Sequence, residues 1–525
     1  MPRDYSEPFW DLCARRAPEL KTIAAAVVTS AILMIAELGH PTFVSDYYQL
    51  QIRNVFPDEA IAADGRLVPD LLLHLVFSSV YLPSLFLLLA LAAVSLAGLL
   101  LVARTQALSG QRRIVALLLL VFHPFLFPHY AYVANRLLMA PAILCAVLAA
   151  LALTGAMRPL ARTAWAALLL TGTLLSHQQA IGVFLVCALF LHVDAILGHR
   201  LSVKTSLAYL AAVAATVVAA LILYRGALYG AGWLGLERLR VDGMLSIPAD
   251  FHDVRVHLQR LAALASATLI EPSLYFPATA KWLLLANLAA LGIAVYRIAP
   301  TPSRGLWHLA AVAFAFCSFL YFAALVYPLI RHARVLPGLA FAWLFVFLLL
   351  LKYGGPAARA AALVCAIFWI AGFAIQFNIM HERMAAKNEI DKALTWEIVQ
   401  RIGPTRGEGG KRKALALVGT LNHRDLPYWP KLGGVFDHGL SSDTQQSVYA
   451  FDWSKYRLLA FYLPYVYPSP EQWQRASGLA AASPIWPAAG SVIPEADMIT
   501  VVLDRPCAPG PGQSGAGQPR CGNPR

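Results

Sequence analysis

The sequence predicts an all-α polytopic membrane protein of about eleven transmembrane helices, carrying a small α/β extracytoplasmic C-terminal domain. Three observations lead there. Hydrophobic residues make up 59% of the chain and charged residues 14%, with a mean hydropathy of +0.60, whereas a soluble domain is roughly half apolar and a quarter charged. The apolar residues arrive in blocks of about 15 to 22, close to the 20 or so that a helix needs to cross the hydrocarbon layer. Backbone groups in lipid have no water to bond, so such blocks must be helical. Finally, Lys and Arg collect in alternate short loops, as they do on the cytoplasmic side of membrane proteins.

The blocks place spans at 22–39, 82–103, 114–127, 137–156, 164–175, 181–197, 207–224, 282–298, 309–327, 337–351 and 360–377. The first is expected to be a retained helix rather than a signal peptide, since no small-residue cleavage site follows it. Spans 164–175 and 181–197 are separated by little more than Ser176, His177, Gln178 and Gln179. The cytoplasmic clusters are Arg3, Arg15, Arg16 and Lys21, then Arg104, Arg112 and Arg113, Arg158 and Arg162, Arg200 and Lys204, Arg297 and Arg304, and Lys352 and Arg359. An odd number of spans then puts the region after Phe377 outside. Topology thereby accounts for most of the net charge of +13 without nucleic acid as a partner.

The expected organisation is a cytoplasmic segment 1–21, a membrane domain 22–378 with external loops 40–81 and 225–281, a C-terminal domain 379–505 and a Gly/Pro-rich disordered tail 506–525. Within the C-terminal domain a helix is expected over 380–402 and strands at 414–418 and 499–503. Cys145, Cys187, Cys317 and Cys365 sit in apolar blocks, where a thiol acts as a small hydrophobe. Cys507 and Cys521 either pair, if the tail lies in an oxidising compartment, or stay free.

No Walker loop, HExxH, GxSxG or paired CxxC pattern is present. Candidate chemistry lies instead in polar residues at the expected outer surface. Asp46 closely follows the first span. It is either a solvated or capping acid, or a general base that takes the proton of a sugar hydroxyl as that oxygen attacks an anomeric carbon. Gly65 permits a turn between Asp64 and Arg66. There Asp64 is a helix N-cap, or Arg66 binds a phosphate oxygen. Arg136, Arg331 and Arg334 stand in short external loops against the positive-inside trend, which suits either a lipid phosphate or the carbonyls of outer helix ends. His177, Gln178 and Gln179 supply uncharged hydrogen-bonding groups for sugar hydroxyls or for helix ends.

Several segments together resemble the O-antigen-converting glucosyltransferases of the Gtr type II family, which are related to the C-type polytopic membrane glycosyltransferases. "SDYYQLQIRN" with "ADGRLVPDLL" looks like that family's first loop, and "HPFLFPHYAYVANRLLMAPAILCAVLAAL" is similar to its segment after the third span. "LLSHQQAIGVFLVCALFL" is similar to its polar turn between two spans, and "LIRHARVLPGLAF" to its late Arg-containing turn. The likeness covers about the first two thirds of the chain. Two departures stand out: the family's paired acids become Ser45 and Asp46, and its acidic "YRFD"-like step becomes Tyr132, Val133, Ala134 and Asn135.

The resemblance implies a bacterial inner-membrane enzyme that moves a sugar, glucose by the family's name, from a polyprenyl-phosphate donor to a surface glycan such as lipopolysaccharide O-antigen, on the periplasmic face. Asp46 would be the catalytic base, and Arg66, Arg136, Arg331 and Arg334 the donor-phosphate ligands. Tyr47, Asp64, Asn135, His177, Gln178 and Gln179 would contact substrate. No cofactor is expected and no metal-ligand cluster is evident, although the wider superfamily includes metal-dependent members. The rival expectations are a lipid-linked sugar flippase or transporter, a polysaccharide polymerase, and a non-enzymatic scaffold.

Overall fold

A computed structural model describes residues 9–40, 65–80, 82–110, 112–131, 133–155, 157–198, 203–233, 254–269, 278–326, 336–403, 405, 411–421, 447–450 and 455–504. The described residues are mostly helical and fall into two compact units, one ending at Glu382 and the other beginning at Arg383. Asp46, Tyr47, Asp64, Arg331, Arg334, Cys507 and Cys521 lie outside the described residues.

In chain order, the first unit contains α1 (Phe9–Leu33), α2 (Ile35–Gly39), α3 (Leu67–Phe77), α4 (Pro83–Thr105), α5 (Arg112–Val121) and α6 (Phe127–Ala131). It continues with α7 (Val133–Leu153), α8 (Pro159–Ser176), α9 (Ile181–Leu197), α10 (Val203–Trp233) and α11 (Val254–Leu269). Then follow α12 (Ala278–Arg297), α13 (Pro302–Val326), α14 (Gly338–Tyr353) and the first part of α15 (Pro356–Ile402). Among the described residues, six helices are long and apolar enough to cross a membrane, in α4, α7, α9, α10, α12 and α15. The chain is a multi-pass membrane protein. Helices α9 and α14 form the centre: residues 338–351 are all buried, and Phe190 stacks on Phe345 with ring centroids 5.4 Å apart. Leu160 on α8 and Phe368 on α15 point outward instead, where lipid rather than water suits them.

Four differences from the expected spans have local causes. The span expected at 114–127 stops after Val121, because Pro124 and Pro128 lack the backbone donor and crowd the preceding turn. The first span breaks at Met34, whose φ of −109° and ψ of 22° are not helical, leaving Glu37 in a separate turn, α2. The span at 360–377 and the helix at 380–402 are one 47-residue helix, α15. Polarity changes there, but no Gly or Pro occurs between Phe373 and Ile402 to end it. Helices α3 and α11 occupy parts of the two loops expected at 40–81 and 225–281.

The second unit holds the rest of α15, β1 (Ala414–Val418), α16 (Lys455–Leu459), α17 (Pro470–Ala482), β2 (Val492–Pro494) and β3 (Met498–Val502). The strand order is β1-β3-β2. Strands β1 and β3 pair in parallel from Ala414 opposite Met498 to Val418 opposite Val502, and β2 runs antiparallel to β3. Both "ALALV" and "MITVV" are buried throughout, as expected of parallel strands covered on two faces. Ala476 and Ala480 of α17 pack on Ala414, Ala416, Val418, Met498 and Val502. Ser469 and Gln472 form a capping box that starts α17, with Pro470 in its first turn. The outer edge of β1 is closed by Tyr456, whose hydroxyl accepts from Leu417 N at 2.9 Å and donates to Leu415 O at 3.1 Å. That cover removes an open strand edge.

Candidate functional site

Polar side chains of the first unit gather where the starts of α4, α7 and α9 meet the end of α8. The prolines that stop α5 make this possible, because the turn they impose carries His129 and Tyr130 into the bundle. His129 is buried, and its ring meets that of His177 edge to face at 5.4 Å. His177 adopts an extended conformation and separates α8 from a 3-10 turn, Gln178–Ala180, that leads into α9. The polar turn expected between 164–175 and 181–197 therefore does join two helices.

Beyond that turn, Gln178 donates from Nε2 to the hydroxyl of Tyr224 on α10 at 3.0 Å. Gly65 closes this side with a φ of +73°. A Cβ at Gly65 would lie 2.7 Å from the Tyr224 hydroxyl oxygen, so both the backbone and the space call for glycine. Gly65→Ala is expected to cost about 1–2 kcal/mol from the left-handed backbone alone, and to push Tyr224 off Gln178. Thermal melting of the purified chain checks the first effect. Tyr224→Phe, which removes the crowded oxygen, should recover part of the loss when combined with Gly65→Ala. Arg66 follows at the N-cap of α3, half-buried, with no capping bond from its side chain.

On the other side of His129 lies a charged network. Arg136 is fully buried in the first turn of α7 and not in a loop, which corrects the sequence expectation. The helix starts at Val133, so Arg136 is already part of it. Its guanidinium donates through Nε to Tyr130 O at 2.6 Å, through Nη1 to Pro83 O at 3.0 Å, and through Nη2 to Glu37 Oε1. Glu37 Oε2 lies 2.6 Å from Nδ1 of His381 on α15. That separation is a hydrogen bond between the imidazole and the carboxylate. Glu37 and His381 are both buried, as is Asn135 beside Arg136. The acid thus ties α2, α7 and α15 together, and the charge of Arg136 is already matched before any ligand arrives.

The structure brings together Arg66, Asn135, Arg136, His177, Gln178 and Gln179 of the residues singled out in the sequence. It adds Glu37, His129, Tyr130, Tyr224 and His381. Glu37 had a legible signal, since an acid inside an apolar helix needs a partner; the identity of that partner had none. Two buried oxygens in this region, the Tyr130 hydroxyl and Gln179 Oε1, have no hydrogen-bond partner among the described residues. Groups of that kind are costly unless something polar reaches them. Chemically, the cluster offers neutral donors and acceptors for hydroxyls, and Arg66 for an anion. Among the described residues no three His, Cys, Asp or Glu side chains gather as metal ligands.

Compared with known protein families, with curated proteins and with solved structures, the chain matches none.

Proposed function

We propose that the chain is a membrane glycosyltransferase that moves a sugar from a polyprenyl-phosphate donor to a surface glycan on the periplasmic face of a bacterial inner membrane. The observation that carries this reading is the convergence of Arg66, His177, Gln178, Gln179 and Tyr224 at one end of the bundle. By the distribution of Lys and Arg, that end faces outward. The likeness of the surrounding segments to the Gtr type II glucosyltransferases supports it. In this reading about eleven segments span the bilayer, the N-terminus is cytoplasmic and the C-terminal unit is periplasmic.

The mechanism asks for a base and for neutralisation of a leaving phosphate. Asp46 takes the proton from an acceptor hydroxyl; the oxygen forms a bond to the anomeric carbon, and the sugar–phosphate C–O bond breaks with its electron pair going to the lipid phosphate. Arg66, with Arg331 and Arg334, balances the departing charge in a water-poor setting, where fixed charges act strongly. Arg136 is a positioning residue, because Glu37 and two carbonyls already hold it. Tyr47, Asp64, Asn135 and the 177–179 turn bind hydroxyls of donor and acceptor.

Asp46→Asn should abolish transfer from purified polyprenyl-phosphate sugar while leaving abundance and lipid binding near wild type. Unchanged turnover would remove Asp46 from the mechanism. The buried Glu37–Arg136–His381 set favours a second reading, a carrier for lipid-linked sugar, because ionisable groups inside a bundle often mark transport paths. A reconstituted assay separates the two: a transferase consumes the lipid-linked sugar, and a carrier only relocates it.

A further inference from the structure

At the other end of the first unit's bundle, the end of α7, the start of α8, the end of α9 and the start of α10 enclose a cavity of about 400 Å³. Two guanidiniums line it, Arg104 from the last turn of α4 and Arg162 from the first turn of α8. Both reach the end of α7, Arg104 Nη2 donating to Thr154 O at 3.1 Å and Arg162 Nη1 lying 3.3 Å from Gly155 O. Neither pairs with a carboxylate among the described residues. Asp194, the acid in the lining, is occupied elsewhere: Lys352 Nζ donates to its two oxygens at 2.7 and 2.8 Å, and the Tyr353 hydroxyl to Oδ1 at 2.9 Å. Among the described residues the cavity wall therefore holds two guanidiniums, and its carboxylate is engaged by Lys352 and Tyr353.

His192 supplies the second, independent observation. It lines the same cavity and is only 5% exposed, and its ring lies flat on Tyr209 with centroids 4.5 Å apart. Neither ring nitrogen has a hydrogen-bond partner among the described residues. In either tautomer one of them is a donor, and a buried donor without an acceptor is costly. An anion seated between the guanidiniums would supply that acceptor. The start of α8 adds the positive end of an 18-residue helix beside the same space.

Two Arg side chains, an imidazole donor and a helix N-terminus suit the several oxygens of a phosphate. Exposed Leu160 and Leu207 flank the lining on α8 and α10, so the rim is apolar where acyl chains would lie. The geometry points to a binding site for the phosphate of an anionic membrane phospholipid, on the side opposite the polar cluster and independent of any sugar transfer.

The test uses the full chain purified in detergent, with phosphatidylglycerol, phosphatidylcholine and inorganic phosphate as separate probes. Native mass spectrometry counts retained lipid, and melting reports stabilisation. Wild type should retain phosphatidylglycerol in preference to phosphatidylcholine and be stabilised by it. Arg104→Gln with Arg162→Gln should weaken that binding by about ten- to a hundredfold, the effect of losing charge-assisted hydrogen bonds. His192→Phe preserves the stacked ring and removes the donor, and should weaken binding several-fold even if the arginine variant folds poorly. Retention by His192→Phe and the arginine variant equal to wild type overturns the site. Stabilisation by inorganic phosphate with no preference for phosphatidylglycerol supports a phosphate site and overturns the lipid as its source.

Discussion

Glu37→Gln is expected to destabilise the first unit by about 3–5 kcal/mol, because it removes the negative charge opposite a guanidinium that has no solvent. Arg136 would keep its bonds to Tyr130 O and Pro83 O, but two neutral carbonyls do not balance a full charge in a fully buried site. The converse change, Arg136→Met alone, should cost a similar amount by stranding Glu37 among buried groups. Replacing both, Glu37→Met with Arg136→Met, should be much milder, since exchanging a buried pair for apolar side chains of similar volume is often nearly neutral. His381→Ala removes one of the acid's donors and leaves the pair intact, so about 1–2 kcal/mol is expected. Melting of wild type, Glu37→Met, Arg136→Met and the double variant closes the cycle and gives the coupling. A double variant as unstable as the sum of its parts would mean that the ion pair contributes nothing.

The same network shows where sequence reasoning ends. Glu37 and Arg136 are 99 positions apart, and Glu37 and His381 are 344 apart. Periodicity, caps and turn signals are local, so none of them can pair those residues. Local signals do locate the helix at 181–197, the turn at Gly65, the polar step at 177–179 and the strand at 414–418. The two units do divide close to the expected 378–379, at Glu382 and Arg383, but the helix break expected between 377 and 380 is absent, for a related reason. Loss of hydropathy marks where lipid is no longer needed, but a helix stops only where the backbone is interrupted, and "NIMHERMAAKNEIDKALTWEIVQ" contains no interruption. Of the candidate site, the 177–179 turn is legible because its residues are contiguous in sequence, whereas the His129 and Tyr224 side chains that meet it come from distant positions. For Arg136 the sequence leaves a lipid phosphate and the carbonyls of helix ends open; its bonds to Tyr130 O and Pro83 O match the carbonyl reading, while no local signal points to its buried acid.

The second unit depends on an acid of a different kind. Asp391 on α15 is fully buried and holds a neighbouring turn: Ser447 Oγ donates to Oδ1 at 2.6 Å and Val448 N to Oδ2 at 3.1 Å, while Lys387 Nζ stands 3.8 Å from Oδ2. One turn further along the helix, Thr395 shares a hydrogen bond of 2.7 Å with the Tyr449 hydroxyl. Burial pushes that phenol well above its usual titration range, so it stays neutral and able to hydrogen-bond. Asp391→Asn keeps the volume and removes the charge. Its amide oxygen can accept from only one side, so either Ser447 or the backbone N–H of Val448 faces an NH2 group. The expected loss is about 3 kcal/mol, within the range for breaking a buried charged group away from its donors. Hydrogen exchange over 447–459 is the measurement, since the 3-10 turn Val448–Ala450 and α16 lie there. Protection unchanged from wild type would mean that Asp391 does not anchor the turn.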